Sequence, residues 1–283
     1  MFKSYNNWIN EVLAPTTDGV ENSDVSDVAH SEFTHDEEEV RERINKRFAI
    51  MTRMTKGMIT GNIRSMIVSG GPGIGKSFDI EEVLKTSKIY RDFVKGTVSA
   101  PGLYKALYEA RNGGIVIFDD CDKVFDNEES LNILKHALDS SDVRTISYRK
   151  EKTFQDNNGD DIPSSFEFKG GVIFITNIDF VEMVAQQSKL SPHFEALMSR
   201  SFYLDLTLKT IFDRYVRVKD IFLNKMMQKE KLSKKQASEI LQFVDKNKDK
   251  FIELSLRTVK HIIQLYKFGQ DWQDIIKVTK FKV

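Results

Sequence analysis

Gly70-Gly71-Pro72-Gly73-Ile74-Gly75-Lys76-Ser77 follows the apolar run Ser65-Met66-Ile67-Val68 and precedes a helix-like run from Phe78 to Thr86. The stretch fits G-x-x-x-x-G-K-[S/T], and the strand and helix that this pattern requires are expected on its two sides. Glycines at 70, 71, 73 and 75 let the backbone curl with its N–H groups turned inward. Such a nest at a helix N-terminus suits a polyanion. Lys76 would reach the β- and γ-phosphates and the Ser77 hydroxyl would ligate Mg²⁺. Phe78, the first residue after the loop, is counted with it as nucleotide-binding. The expectation is a nucleoside triphosphate site.

Working outward, the 283 residues carry 42 basic and 42 acidic side chains, so no net charge draws the whole protein to nucleic acid or an anionic membrane. Any nucleic-acid contact must be local. The length suggests a main domain of about 170 residues plus a smaller one. Cys121 is the one cysteine, which excludes an intrachain disulfide, and the five histidines show no metal-ligand spacing. With no 18-residue apolar run and no signal-peptide core, a cytoplasmic protein with no membrane contact is expected.

Before the loop, Tyr5, Trp8, Ile9, Val12 and Leu13 stand at helical spacing. The short helix they predict either packs on the body or docks a partner. Thr16 to Glu39 holds nine acidic residues and neither Lys nor Arg, which predicts a disordered linker within an N-terminal segment of residues 1–40. The charge then reverses. Arg41, Arg43, Lys46, Arg47, Arg53 and Lys56 lie on a predicted helix ending near Gly57, with Phe48, Met51 and Met54 as its apolar stripe.

Beyond the loop, Asp92–Val98 is expected as a second strand and Ala100–Arg111 as a helix. Gly114-Ile115-Val116-Ile117-Phe118-Asp119-Asp120 has the continuous apolar character of a strand buried on both faces, and it ends in acids. There Asp119 would hold the Mg²⁺ shell and Asp120 would orient or deprotonate an attacking water, with Asp122 able to share the site. A further strand, Gly171–Thr176, ends at Asn177. At the carboxyl ends of parallel strands such groups face the ligand crevice, so Asn177 would bond the γ-phosphate or position the water. Between these strands, Thr145–Tyr148 and Ser165–Phe168 flank a basic stretch and the turn-rich residues 156–161, predicting a hairpin. It is either a surface hairpin with ordinary charges or a nucleic-acid contact, whose candidates are Arg149, Lys150, Lys152 and Phe154. After Leu206 the chain turns to helix formers, with helices expected over 210–231, 233–248 and 255–268.

The order of these motifs, together with Ser199-Arg200-Ser201 before Phe202–Leu206 and Leu254-Ser255-Leu256-Arg257 in a late helix, resembles the AAA+ ATPase family over residues 45–270. Phe118-Asp119-Asp120-Cys121-Asp122 and Leu134–Asp139 are similar to small bacteriophage-encoded members. The resemblance implies an α/β P-loop NTPase core over 41–207, with a five-stranded, mainly parallel sheet, and a small α-helical lid over 208–283. It also implies Gly70–Ser77 as the Walker A loop, Asp119-Asp120 as the Walker B acids, Asn177 as first sensor, Arg200 as an arginine finger given to a neighbouring subunit, and Arg257 as second sensor. Arg214 and Arg217 are the reserve for the trans contact. Many family members have Asp-Glu where this chain has Asp119-Asp120, which implies slow turnover or a water relay.

The implied function is hydrolysis of ATP with Mg²⁺ by a hexameric or other ring-like homo-oligomer acting on DNA in replication or recombination, as a helicase, helicase loader or clamp loader. Two alternatives stay open. One is a remodeller whose polypeptide client is delivered through the N-terminal segment; the other is a nucleotide-gated binding module.

Overall fold

The computed structural model describes residues 36–149 and 154–282. The expected Tyr5–Leu13 helix, the linker up to residue 35, and Lys150 and Lys152 lie outside the described residues.

Helix α1, Glu37–Ile59, buries Val40, Ile44, Phe48, Met51, Thr55 and Met58, a three- and four-residue spacing that makes one apolar face. It begins earlier than its sequence suggests. Glu37, Glu38 and Glu39 form its first turn rather than the end of a linker, because carboxylates at a helix N-terminus oppose the positive end of the dipole.

Five strands form the central sheet: β1 (Ser65–Ser69), β2 (Arg91–Lys95), β3 (Ile115–Asp119), β8 (Gly171–Thr176) and β9 (Phe202–Asp205). Their order is β2-β3-β8-β1-β9 and every pairing is parallel. All residues of β1, β3 and β8 are buried, as expected for strands covered on both faces. Side chains alternate between the two covers. Met66, Val68, Ile115, Ile117, Ile173 and Ile175 join a core with α1 and the C-terminal helices. Phe118 and Phe174 stack at 5.1 Å on the other face, against Phe125, Phe180 and Phe194.

The intervening helices are α2 (Lys76–Lys85), α3 (Ala100–Glu109), α4 (Glu128–Ala137), α5 (Phe180–Ala185) and α6 (Ser191–Arg200). The hairpin consists of two antiparallel pairs, β4 (Thr145–Ser147) with β7 (Ser165–Glu167) and β5 (Phe154–Gln155) with β6 (Asp161–Ile162). Its base rests on α3 through aromatic contacts of Tyr104 with Tyr148 at 5.3 Å and with Phe166 at 5.0 Å. Its tip is tied to the same helix, the Asn157 amide donating to Glu109 Oε1 at 2.7 Å.

The C-terminal region is helical: α7 (Ile211–Ile221), α8 (Lys234–Asn247), α9 (Leu256–Phe268) and α10 (Trp272–Lys280). Thr210 and Ser233 each start a helix with a reciprocal capping box, and Ser255 caps α9. The helix expected over 210–231 is not uniform. Phe222–Met226 is a π-helical turn between α7 and the short Met227–Lys229 helix.

Candidate functional site

The parallel sheet collects the carboxyl ends of β1, β3 and β8 at one edge of a crevice. Because β8 lies between β1 and β3, the residue that follows it stands between the loop after β1 and the acids after β3. That residue is Asn177. Its Oδ1 accepts from Lys76 Nζ at 3.1 Å and its Nδ2 donates to Asp120 Oδ1 at 3.0 Å. On the other side of the loop, Ser77 Oγ donates to Asp119 Oδ1 at 2.8 Å. The sequence-predicted residues therefore form two neighbouring hydrogen-bonded groups, Lys76–Asn177–Asp120 and Ser77–Asp119, that line one cavity. Asp120 adopts a left-handed backbone with φ of 55°, a turn that Asp tolerates better than most residues.

Lys76 also donates to the carbonyls of Gly70 and Gly71. Burial pushes its pKa down to about 8, against the pull of Asp120, Asp119 and Asp122. A polyphosphate arriving at this ammonium would restore the charge. The Ser77 hydroxyl and Asp119 carboxylate are hard oxygen donors of the kind that suits Mg²⁺. Among the described residues no cluster of three His, Cys, Asp or Glu can hold a metal. An ion bound here would complete its shell with water and phosphate oxygens, as Mg²⁺ ordinarily does.

The two groups open into a cavity of about 450 Å³ whose core wall is residues 72–79 with Asp119, Asp120 and Asn177. Its other wall is helical: Arg217 and Ile221 of α7, Lys225 and Met226 of the π turn, and Leu256, Arg257 and Lys260 of α9. Arg257 thus lines the same cavity as the glycine-rich loop. Phe78 lines it too, with 46% of its surface exposed and the ammonium groups of Lys229 and Lys225 over its ring at 5.4 and 5.9 Å.

Arg200 is not in this wall. It ends α6, where Nη1 donates to the Ala196 carbonyl at 3.0 Å and Nε lies 4.0 Å from Asp139 Oδ2. Arg217, one of the two reserves, has a side chain that is 3% exposed and paired with Asp79 of its own chain. Arg214, partly exposed on α7, does not line the cavity. Asp122 accepts from Thr176 Oγ1 at 2.6 Å, and burial raises its pKa. In the hairpin, Arg149 is exposed and Phe154 begins β5.

Sequence reasoning missed Lys95. It ends β2 and reaches Glu81 at 2.9 Å and Asp119 Oδ2 at 3.5 Å. The available signal was its place at the carboxyl end of a parallel strand.

The Lys-Ser loop at a strand-helix junction, the acids two strands away, Asn177 after the strand between them and the helical region after the sheet are the arrangement that the resemblance to AAA+ P-loop NTPases implies. No protein-family model matches the chain. It is 37% identical over 245 residues to an uncharacterized 36.7 kDa protein of the nrdC-mobD intergenic region of Enterobacteria phage T4, spanning 84% of this chain and 74% of that protein, and it belongs to that protein's family. Among solved structures, the Thermotoga maritima RuvB Holliday junction branch migration motor is similar with a TM-score of 0.46 at 14% identity, over 84% of this chain and 68% of RuvB. NtrX from Brucella abortus in complex with ADP is similar with a TM-score of 0.46 at 16% identity, over 79% of this chain and about half, 49%, of NtrX.

Proposed function

We propose that this protein is a Mg²⁺-dependent ATPase that works as a ring-like homo-oligomer on DNA. The observation that carries the reading is the continuous chain Lys76–Asn177–Asp120 beside Ser77–Asp119 in one cavity. Lys76 and the loop amides bind the triphosphate. Ser77 and Asp119 would hold Mg²⁺, whose charge would polarise the phosphate oxygens. Asn177 orients Asp120 through its amide, and Asp120 takes the proton of the attacking water. Arg257 faces the phosphates from the helical wall.

The oligomeric reading is supported by the place of Arg200, which the resemblance gives to a neighbouring subunit. Arg200 lies outside the wall of its own cavity, which accords with a guanidinium given to a neighbour's γ-phosphate. DNA as the target rests on the family resemblance and on the hairpin, where the exposed Arg149 precedes Lys150 and Lys152 in the chain. A host-cell cytoplasmic setting accords with the phage relative, and no helix among the described residues is long and apolar enough to cross a membrane.

The test is steady-state ATP hydrolysis over a range of protein concentrations, with and without single- and double-stranded DNA, for wild type and Arg200→Ala. Specific activity that rises with concentration, falls in the variant and is stimulated by DNA supports the reading. Activity indifferent to all three would overturn the ring and DNA assignments and leave a nucleotide-gated binding module.

A further inference from the structure

Arg217 is a buried cation that the catalytic reading above does not use. Its guanidinium carbon lies 3.4 Å from the centroid of the Phe48 ring in α1. Nε donates to the carbonyl of Ile74 at 3.3 Å, Nη2 to Asp79 Oδ2 at 3.2 Å, and Nη1 to Asn45 Oδ1 at 3.4 Å. One side chain of the C-terminal helices thereby holds the crest of the phosphate loop, the helix behind it and α1.

A second bond from the same region grips the neighbouring peptide. The Leu256 amide at the start of α9 donates to the Gly73 carbonyl at 2.8 Å. The fit there is close. Gly73 has φ of 67°, and a Cβ built on it would fall 2.6 Å from that of Ser255. Asp79 is shared as well, its Oδ1 accepting from Lys225 of the π turn at 2.9 Å.

In a planar trans peptide the C=O and N–H point in opposite directions. Bonding the Gly73 and Ile74 carbonyls to Leu256 and Arg217 therefore turns the N–H groups of Ile74 and Gly75 away from those donors. Outward carbonyls and inward amides are what a phosphate nest requires. We propose that Arg217 is a positioning residue: through Ile74 and Asp79 it keeps the phosphate loop preformed and couples nucleotide affinity to the placement of the C-terminal helices. This rests on the nucleotide-binding reading above.

The experiment compares wild type with Arg217→Met, Arg217→Lys and Asp79→Asn by two readouts. The first is amide hydrogen exchange without nucleotide. Arg217→Met should speed exchange in residues 70–77 while exchange in β2 and α3 is unchanged. The second is binding of a fluorescent ATP analogue carrying an N-methylanthraniloyl group, which Arg217→Met should weaken by roughly 5- to 150-fold, the usual span of a coupling between sites. Arg217→Lys, which keeps a donor and the charge, should recover part of both, and Asp79→Asn should shift both in the same direction by less.

Wild-type exchange in residues 70–77 and wild-type affinity in Arg217→Met would overturn the proposal. If Arg217→Met does not fold, Arg217→Lys and Asp79→Asn decide by the same criteria. Failure of the wild type to bind the analogue would overturn the nucleotide-binding reading instead, while the nucleotide-free exchange comparison still decides whether Arg217 orders the loop.

Discussion

The core wall of the cavity comes chiefly from residues 72–79, whereas its helical wall is gathered from three places, Arg217 and Ile221, Lys225 to Glu230, and Leu256 to Lys260. The first is held by its own short-range chemistry: Lys76 closes the loop onto Gly70 and Gly71. The second has no local pattern, and it exists because α7 and α9 share a core with α1 and the sheet. Chemistry that needs a fixed distance between neighbours in the chain leaves a motif. Chemistry assembled by packing leaves scattered cations that look like any solvated helix face.

The contrast is broken most severely by separating binding from hydrolysis on the core wall. Asp120→Asn keeps the hydrogen bond to Asn177 and removes the base, so hydrolysis should fall by about 10²- to 10⁴-fold, the ordinary range for a general base, with nucleotide affinity retained. Single-turnover hydrolysis beside equilibrium binding checks this; undiminished hydrolysis would remove Asp120 from the role of base. On the helical wall, Arg257→Ala should weaken triphosphate binding by about 10- to 150-fold, corresponding to one hydrogen bond to a charged group. ADP binding should change less. An equal loss for ADP and ATP would place Arg257 away from the γ-phosphate.

A third test uses pH. Burial lowers the Lys76 pKa to about 8, so the nucleotide-free loop loses its cation as pH rises through that value. The folded state then holds fewer protons than the unfolded chain between about pH 8 and the ordinary lysine value near 10.4, and stability without nucleotide should rise with pH across that window. Nucleotide affinity should move oppositely, falling by up to about tenfold per pH unit above pH 8, since each unit of pKa mismatch is one decade. Calorimetry in buffers of different ionisation enthalpy should register proton uptake on binding. A pH-independent affinity between 7 and 9 would mean that Lys76 is already fully charged.

The same contrast explains what was legible in the sequence. Strand β3 is unmistakable because five consecutive buried residues, Ile115–Asp119, leave no polar face to hide the pattern. Lys76 and Ser77 were visible in the glycine-rich motif and Asp119, Asp120 and Asn177 as residues at strand ends, and the parallel topology brings the two sets together. Asp122 shares the same acidic run, yet its bond to Thr176 Oγ1 depends on a strand more than fifty residues away, so composition could not separate it from its neighbours. The π turn at Phe222–Met226 left no mark either, because its residues are ordinary helix formers and only the cavity reveals that Lys225 and Met226 face inward. Arg217 was named only as a reserve for the trans contact, because nothing in the sequence of α7 marks the Phe48 and Asp79 that surround it.

Lys95 offers the smallest effect and separates two ways of serving Asp119. Its side chain is 56% exposed, and it divides its charge between Glu81 and Asp119 Oδ2. An exposed ion pair contributes about 0.2–1 kcal/mol, so its removal should change affinities by no more than about fivefold. The sign is informative. With Mg²⁺ proposed to sit beside Asp119, an ammonium 3.5 Å from the same carboxylate competes with the metal. Lys95→Ala should therefore tighten the apparent Mg²⁺ affinity slightly in a titration of nucleotide binding, with the gain shrinking as salt is added. A loss of affinity would instead mean that Lys95 acts by holding the carboxylate in place, through the link it makes from Asp119 to Glu81 on the P-loop helix.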